Sequence, residues 1–369
     1  MAGLGQFTAD PEQPNSNLSD PWKSQREAFK CKDWSGPCLG PPKGLGNIYA
    51  RRTPYVYQYL FNVQRQLSQN VLLEVGYQGN QGHKLERMRF INQAVQKTGL
   101  SDASTIAQRI PWPAYTRIME VDGSVNSNYH ALSGKLQQRF SKGLTYLMGY
   151  TWSKAIDGGS ALRTNSGDRL NPMNSWDLTR ERGLSQFDVR RRLVGSVLYE
   201  LPFGAGKPFA SRGALVNKVV GGWQAGTILT FADGSPTNVG VLGDTASVGT
   251  NENYPDATGI SPFPQNQSVD QFWNIAAFDA TNRELSYRFG TVGSRVLSKP
   301  GVRQWDFSLV KNTSIREHHS LQFRFEAFNF PNHPNWNAPS TDARAAATFG
   351  KITSARTMRE LQLGLKYVF

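Results

Sequence analysis

The chain holds no apolar run near the roughly 18–20 residues that a membrane-spanning helix needs. A helical membrane protein is thereby excluded. A β-barrel is not, because a barrel strand needs about ten residues and every second one is polar. Cysteine is scarce: Cys31 and Cys38 are the only two. They lie in a segment rich in Gly and Pro with no histidine close in sequence, and two cysteines cannot build a zinc site alone. A small disulfide loop in an oxidising compartment fits their spacing, and so do two separate thiols. The first residues, Met-Ala-Gly-Leu-Gly-Gln-Phe, lack the basic segment and apolar stretch of a secretory signal.

Catalytic signatures are missing as well. There is no nucleophile elbow, no zinc-protease helix motif and no supported pair of acids. Gly204-Ala205-Gly206-Lys207 has the flavour of a phosphate loop, but Pro208 stands where Ser or Thr is needed and the glycine spacing is wrong. His318 and His319 are adjacent, and adjacent residues rarely converge on one metal. The expectation is a protein without enzymatic activity, metal or cofactor.

What is present is alternation. Tyr55, Tyr57, Tyr59, Phe61 and Val63 share one face of an extended segment, and Val71, Leu73, Val75 and Tyr77 one face of the next. The pattern returns at Leu132–Phe140, Leu144–Trp152, Leu193–Leu201, Trp223–Phe231, Trp305–Leu309, Leu321–Ala327 and Leu361–Phe369. A period of two with one greasy face is a half-buried strand. Nine such strands, with 35 glycines and 20 prolines for turns and loops, predict an all-β fold. The connections alternate in length. Those near 67–70, 141–143 and 311–320 are short, and those near 80–127, 154–189, 232–301 and 331–358 are long. Transmembrane barrels have this asymmetry, with short periplasmic turns and long extracellular loops. The connection 202–222 falls where a short turn belongs and is not short.

The net charge of +13 admits nucleic acid or a phosphate-bearing surface as partner. Its distribution bears on the choice. The greasy faces named above carry no charge, whereas the opposite faces carry Glu74, Lys135, Arg139, Glu200, Asp306, Arg324, Glu326 and Lys366. A Lys or Arg at mid-depth on a lipid face costs about 2–4 kcal/mol, so this segregation suits a barrel. A soluble sandwich would alternate too. Tyr and Trp concentrate near strand ends, where rings settle at lipid headgroups. Nucleic-acid binding would call for basic residues interleaved with exposed aromatics, and here most aromatics sit on the uncharged face.

Several stretches resemble one family. They are Asn128-Tyr129-His130-Ala131-Leu132, Arg139-Phe140-Ser141-Lys142-Gly143-Leu144-Thr145-Tyr146, Tyr150-Thr151-Trp152-Ser153-Lys154, Phe187-Asp188-Val189-Arg190-Arg191-Arg192, Tyr199-Glu200-Leu201-Pro202-Phe203-Gly204, Gly222-Trp223-Gln224, Phe325-Glu326-Ala327-Phe328-Asn329 and the closing strand. Their order and spacing resemble the barrel of Oar-like TonB-dependent transporters over roughly residues 45–369. Arg191 departs from the His frequent in that family.

The resemblance implies an antiparallel transmembrane β-barrel of the Gram-negative outer membrane, with a plug domain and 22 strands in the whole protein. Nine strands and no plug imply the C-terminal part of such a barrel, at residues 55–369. Residues 1–54 are expected to be an extracellular loop or irregular segment. In this reading Glu74, Lys135, Arg139, Asp306, Arg324 and Glu326 face the lumen, although pairing across strands would also account for them. Leu365, Tyr367 and the terminal Phe369 form the signal for the barrel-assembly machinery. Arg190, Arg191 and Arg192 could clamp a lipopolysaccharide phosphate or serve as an interfacial anchor. The implied function is uptake of an unknown solute, energised through TonB contacts made by a plug domain. Loops carrying Trp176, Tyr254 and Trp273 would supply solute contacts. A passive porin or adhesin barrel and a soluble β-rich carbohydrate-binding module are the competing readings. Deleting Phe369 from the intact protein is expected to impair outer-membrane assembly. Retention of normal heat-modifiable migration in gels would contradict that role.

Overall fold

The computed structural model describes residues 44–48, 51–97, 103–113, 115, 117–160, 171–209, 213–251, 253–281, 288–316 and 318–369. Cys31, Cys38 and most of the 1–54 segment lie outside them.

All nine expected strands form. They are β1 (Tyr55–Ser68), β2 (Val71–Phe90), β3 (Ile118–Ser141), β4 (Leu144–Asp157), β5 (Arg191–Glu200), β6 (Trp223–Ala232), β7 (Val302–Arg316), β8 (His319–Phe328) and β9 (Glu360–Val368). Each pairs antiparallel with its neighbour in sequence, giving one meander from β1 to β9. Two short segments join its rim: Gly44–Asn47 runs parallel to the start of β3, and Gly183–Leu184 pairs the end of β4. Among the described residues β1 and β9 do not pair with each other, so the sheet is open.

Residues paired directly across antiparallel strands share a face. The register therefore carries one apolar belt across the whole sheet. One row reads Val63, Val75, Gly134, Tyr150, Leu193 and Phe231; the next reads Leu73, Leu136, Met148, Gly195, Leu229 and Trp305; a lower one reads Leu309, Phe325 and Leu363. Most of this face is uncovered, with Phe330 packed on Trp305 and Phe307 at its edge and Ala327 buried there. Leu361, Leu363 and Leu365 are 61%, 71% and 70% exposed. The full strands also place Arg65, Lys154, Arg191, Arg303 and Lys311 on it, all near strand ends. Rings collect at both rims. Tyr55, Tyr57 and His83 cluster at one, with Tyr59 stacked on Tyr77 and Tyr77 on His130. At the other, Trp223 meets Phe323, and His319, Tyr367 and Phe369 stack in turn.

The turns are shorter than the sequence implied. β3 and β4 are joined by Lys142 and Gly143, both at positive φ (51° and 83°). That is the type I′ geometry whose twist matches a hairpin, and its second position suits glycine. β7 and β8 are joined across 317–318 alone.

The region 80–127 is not one loop. β2 runs on to Phe90 and β3 starts at Ile118, leaving 91–117 as the connection. At about 3.4 Å per residue both strands far outreach the 9–11 residues that cross a bilayer. Their outer ends bury Met88, Phe90, Met119 and Val121 in one cluster. The opposite face pairs Arg87 with Asp122 and Arg89 with Glu120. A strand segment with Arg and Asp along one face reads as loop on a hydrophobicity scale, so the strand runs past the end of its apolar signal.

The long connections pack into a cap. Its largest core joins Met173, Val239, Val241, Tyr254, Phe272, Trp273, Phe278, Val292, Leu297 and Phe349, drawn from three separate connections. Ala94, from the fourth, packs with Ala246 and Val248. The buried hydrophobic core of this chain thus lies mainly outside the apolar belt.

Adjacent residues of β4 separate the two faces. Met148→Arg, on the apolar belt, is expected to lose about 2–4 kcal/mol in equilibrium folding into lipid vesicles, and Leu147→Arg on the other face far less. Equal losses would remove the distinction between the faces.

Candidate functional site

The face opposite the belt is mixed: polar and small residues predominate, with Leu60, Leu147, Leu198 and Ile228 among them. Its rows read Gln64, Glu74, Lys135 and Gly149, then Gly76, Ser133, Thr151 and Arg192, and further along Ser308, Glu326 and Gln362. The charges are held in short hydrogen-bonded groups. Gln64 donates to Glu74 at 3.2 Å, next to Lys135 in register. Asp306 accepts from the Gln304 amide at 2.6 Å and from the Asn329 backbone N–H at 2.8 Å. The Arg324 guanidinium donates to Gln322 at 2.7 Å, and Gln322 donates in turn to Asn312 at 2.8 Å.

In the cap, Asn92 and Gln93 form a buried hub where β2 gives way to the connection. Asn92 accepts the Trp112 backbone N–H at 2.9 Å and donates to the carbonyls of Trp112 and Tyr115 at 3.0 and 2.8 Å. The Gln93 side chain donates to the Met173 carbonyl and accepts the Ser175 N–H. The Gln93 backbone carbonyl accepts the Trp176 indole N–H at 3.2 Å. Trp112, Tyr115 and Trp176 are all exposed, at 43%, 40% and 46%. The Asn92 side chain thus fixes the backbone at Trp112 and Tyr115, and the Gln93 backbone carbonyl fixes the Trp176 ring; all three aromatics face solvent. A ring held by its own polar atom, as Trp176 is, loses little entropy on binding a ligand.

Buried ion pairs knit the connections together. Arg87 of β2 pairs with Glu181 at 2.8 Å, and Glu181 also accepts the Met173 N–H. Arg295, fully buried, pairs with Asp157 at 2.8 Å and donates to the carbonyls of Asp157, Glu181 and Leu184. Arg109 reaches the carbonyls of Val95 and Ser247. At the cap surface, bonds from the Thr179 hydroxyl and N–H hold the Asp177 carboxyl below its usual range. Burial pushes the Asp188 carboxyl up, against the Ala155 N–H and the charges of Arg190 and Lys154. The folded cap binds that proton more tightly than the unfolded chain, so this group lowers stability as pH rises above the ordinary carboxylate range. Burial lowers the Lys299 ammonium.

Glu74, Lys135, Asp306, Arg324 and Glu326 all fall on the polar face, and Arg139 falls beside the β3–β4 turn, two residues beyond Gln137 of that face. The structure does not gather them into one constellation; they spread across β2, β3, β7 and β8. Arg190, Arg191 and Arg192 are not brought together either. Arg191 lies on the apolar face and pairs with Asp233 in a two-pronged bridge, while Arg192 lies in register with Thr151 on the polar face. Leu365 and Tyr367 lie on the apolar face of β9. Tyr254 and Trp273 are 0% and 1% exposed, in the cap core, so they cannot offer solute contacts; of the three loop aromatics named, only Trp176 can. The Asn92–Gln93 hub and Trp112 carried no periodic signal. Their one sequence trace is an amide pair just after a strand.

The family model described as "Outer membrane beta barrel domain" matches residues 6–362. Among solved structures, the outer membrane transporter YddB from Escherichia coli aligns at 10% identity and a TM-score of 0.47, covering 86% of this chain and 33% of its own. The FrpB iron transporter from Neisseria meningitidis aligns at 10% identity and 0.43, over 88% and 33%. The ferripyoverdine receptor of the outer membrane of Pseudomonas aeruginosa aligns at 12% identity and 0.39, over 86% and 27%. The chain spans about a third of the length of these structures. No curated protein matches the sequence.

Removing one partner of a buried pair costs about 3–5 kcal/mol. Arg295→Met is expected to open the cap, read as faster proteolysis within 171–190 and 288–301 in assembled protein. Unchanged cleavage would mean that Arg295 does not hold these connections together.

Proposed function

We infer the function from one premise: the chain belongs to the outer membrane beta barrel domain family. It is an antiparallel β protein of the Gram-negative outer membrane. We propose that it forms part of the wall of an Oar-like TonB-dependent transporter, taking part in energised uptake of a solute across that membrane. The observation that carries this is the distribution of apolar surface. The belt across nine strands is exposed while the buried hydrophobic residues gather mainly in the cap. Hydrocarbon would cover the belt, leaving the polar face with Glu74, Lys135, Asp306, Arg324 and Glu326 toward the lumen and solute path. The resemblance of ordered motifs from Asn128 to Phe369 supports the finer family.

In this reading the whole barrel takes further strands on β1 and β9. Lipid cannot satisfy open backbone edges, and single-chain bacterial barrels have even strand numbers. A plug domain would make the TonB contact, residues 1–54 would lie on the extracellular side, and the β9 terminus would address the assembly machinery. Arg191, bridged to Asp233 at the outer rim, would be the lipopolysaccharide contact. Covalent chemistry has no part in this role. Trp112, Tyr115 and Trp176 would make the first contact with solute.

Uptake of a panel of labelled ferric chelates and oligosaccharides, in cells carrying the intact protein with and without a protonophore, tests the reading. Accumulation that stops with the protonophore is expected. Accumulation that persists would favour a passive pore. Replacing Trp112 and Trp176 together by Ala is expected to lower uptake about tenfold or more with assembly unchanged, since stacked rings are worth about 1–3 kcal/mol. Full uptake by that variant would remove the aromatic trio from the solute path.

A further inference from the structure

The connection 201–222 sits at the end of the sheet where the other turns take two residues. It folds into a short structure of its own. Phe203 and Phe209 form an isolated backbone bridge with their rings 6.1 Å apart. A helix, Ala214–Val220, packs back on that bend. The Asn217 side chain accepts the Ala205 N–H at 2.5 Å. Gly204 lies so close that a Cβ there would meet Asn217 Oδ1 and Gly221 Cα at 2.7 Å, at a φ of +110°. Lys207 bridges to Glu200 at 2.9 Å.

This small fold exposes apolar side chains where a connection in water would hide them. Phe209, Val216 and Val219 are among its exposed residues, with Val219 at 67%, and Lys218 is exposed beside them. The helix is also tied to the apolar face of the sheet. The Trp223 indole donates to the Val219 carbonyl at 3.0 Å, and Lys311 donates to the Gly221 carbonyl at 2.7 Å while its ammonium sits over the Trp223 ring. Trp223 and Lys311 are register partners on the belt face. The exposed apolar residues of the connection are thus joined to the lower aromatic rim rather than standing apart from it.

We propose that this connection is a membrane anchor, its Val216, Val219 and Phe209 dipping into the inner-leaflet phospholipid of the outer membrane and Lys218 meeting lipid phosphate. Apolar residues beside lysine are what an interfacial segment uses, and such a segment sits about 5–10 Å into the headgroup boundary. The anchor would extend lipid contact past the wall and fix the depth of β5, β6 and β7. It rests on the reading that the belt meets hydrocarbon.

The test uses the intact protein assembled in outer-membrane vesicles, with Cys31 and Cys38 replaced by Ser. An environment-sensitive nitrobenzoxadiazole label is placed in turn at Val219→Cys, at Leu363→Cys on the belt and at Asn266→Cys in the cap. Shallow nitroxide phospholipids are then introduced into both leaflets by freeze–thaw fusion. The label at 219 is expected to shift to the blue and lose about half its emission, as the label at 363 does, while the label at 266 keeps its emission. Quenching at 363 but not at 219 overturns the anchor and leaves the belt standing. Absence of quenching at both positions overturns both.

Discussion

Everything in this molecule follows from what covers the apolar belt. Side chains from Val63 in β1 to Leu363 in β9 form one greasy surface. Among the described residues only its margins are met by other segments, Phe330 at Trp305 and Phe307 and the 214–220 helix with its Gly221 cap at Trp223 and Lys311. In water such an area would drive aggregation. In hydrocarbon it is the correct surface, and it imposes the rest. Backbone N–H and C=O groups must be satisfied within the structure, which a meander of paired strands does. Charged residues are driven to the ends of the belt face, where Arg65, Lys154, Arg191, Arg303 and Lys311 are found. Rings settle at its two rims.

Beyond the rim the solvent changes, and with it the rule. β2 and β3 show the change within single strands. Their lower halves turn a bare apolar face outward. Above Gly82 the same strands bury Met88, Phe90, Met119 and Val121 and place Arg87 and Arg89 against Asp122 and Glu120. Gly79, just below, marks the passage: a Cβ there would lie 2.0 Å from the Tyr59 ring, so only glycine lets that ring lie across the strand. In the cap the connections meet an aqueous surrounding and must build a core of their own, closed by the Arg87–Glu181 and Arg295–Asp157 pairs. Buried pairs of this kind contribute little net stability but penalise every arrangement that separates them. They act as registration devices between connections far apart in sequence.

This division explains which parts of the fold could be read from the residues. The nine strands were legible because hydrocarbon acts on every second residue and prints a period of two. The edges of the strands were less so. His319 and Ser320 extend β8 without an apolar signal, and the Arg-Met-Arg-Phe run at 87–90 alternates in a way that no lipid face would allow. The cap was not legible, since its core is assembled from residues such as Met173, Val241, Trp273 and Phe349 whose spacing obeys no period. Two of the loop aromatics assigned to solute contact, Tyr254 and Trp273, proved to be that core. The charges opposite the belt were legible as a face, not as a site, because alternation identifies a face and nothing on it specifies convergence.

The aromatics of the cap show why composition cannot stand in for position. Trp273 and Trp176 both occur in Asn-rich connections and both give their indole N–H to a backbone carbonyl, of Ser298 and Gln93 respectively. One is enclosed by Phe272 and Phe349, and its role is packing. The other hangs from the buried Gln93 backbone carbonyl with its ring in solvent. An exposed ring fixed by its polar atom has already lost much of its freedom, so a partner's face that stacks on it need not offset that ordering. The Asn92–Gln93 hub imposes this on one side only, at the junction where β2 gives way to its connection, well above the belt. A buried pair of amides at that junction couples the strand to the display of Trp112, Tyr115 and Trp176. A displacement of β2 would therefore be felt by all three aromatics together, while Trp273, held within the cap core, has no bond to that hub among those described.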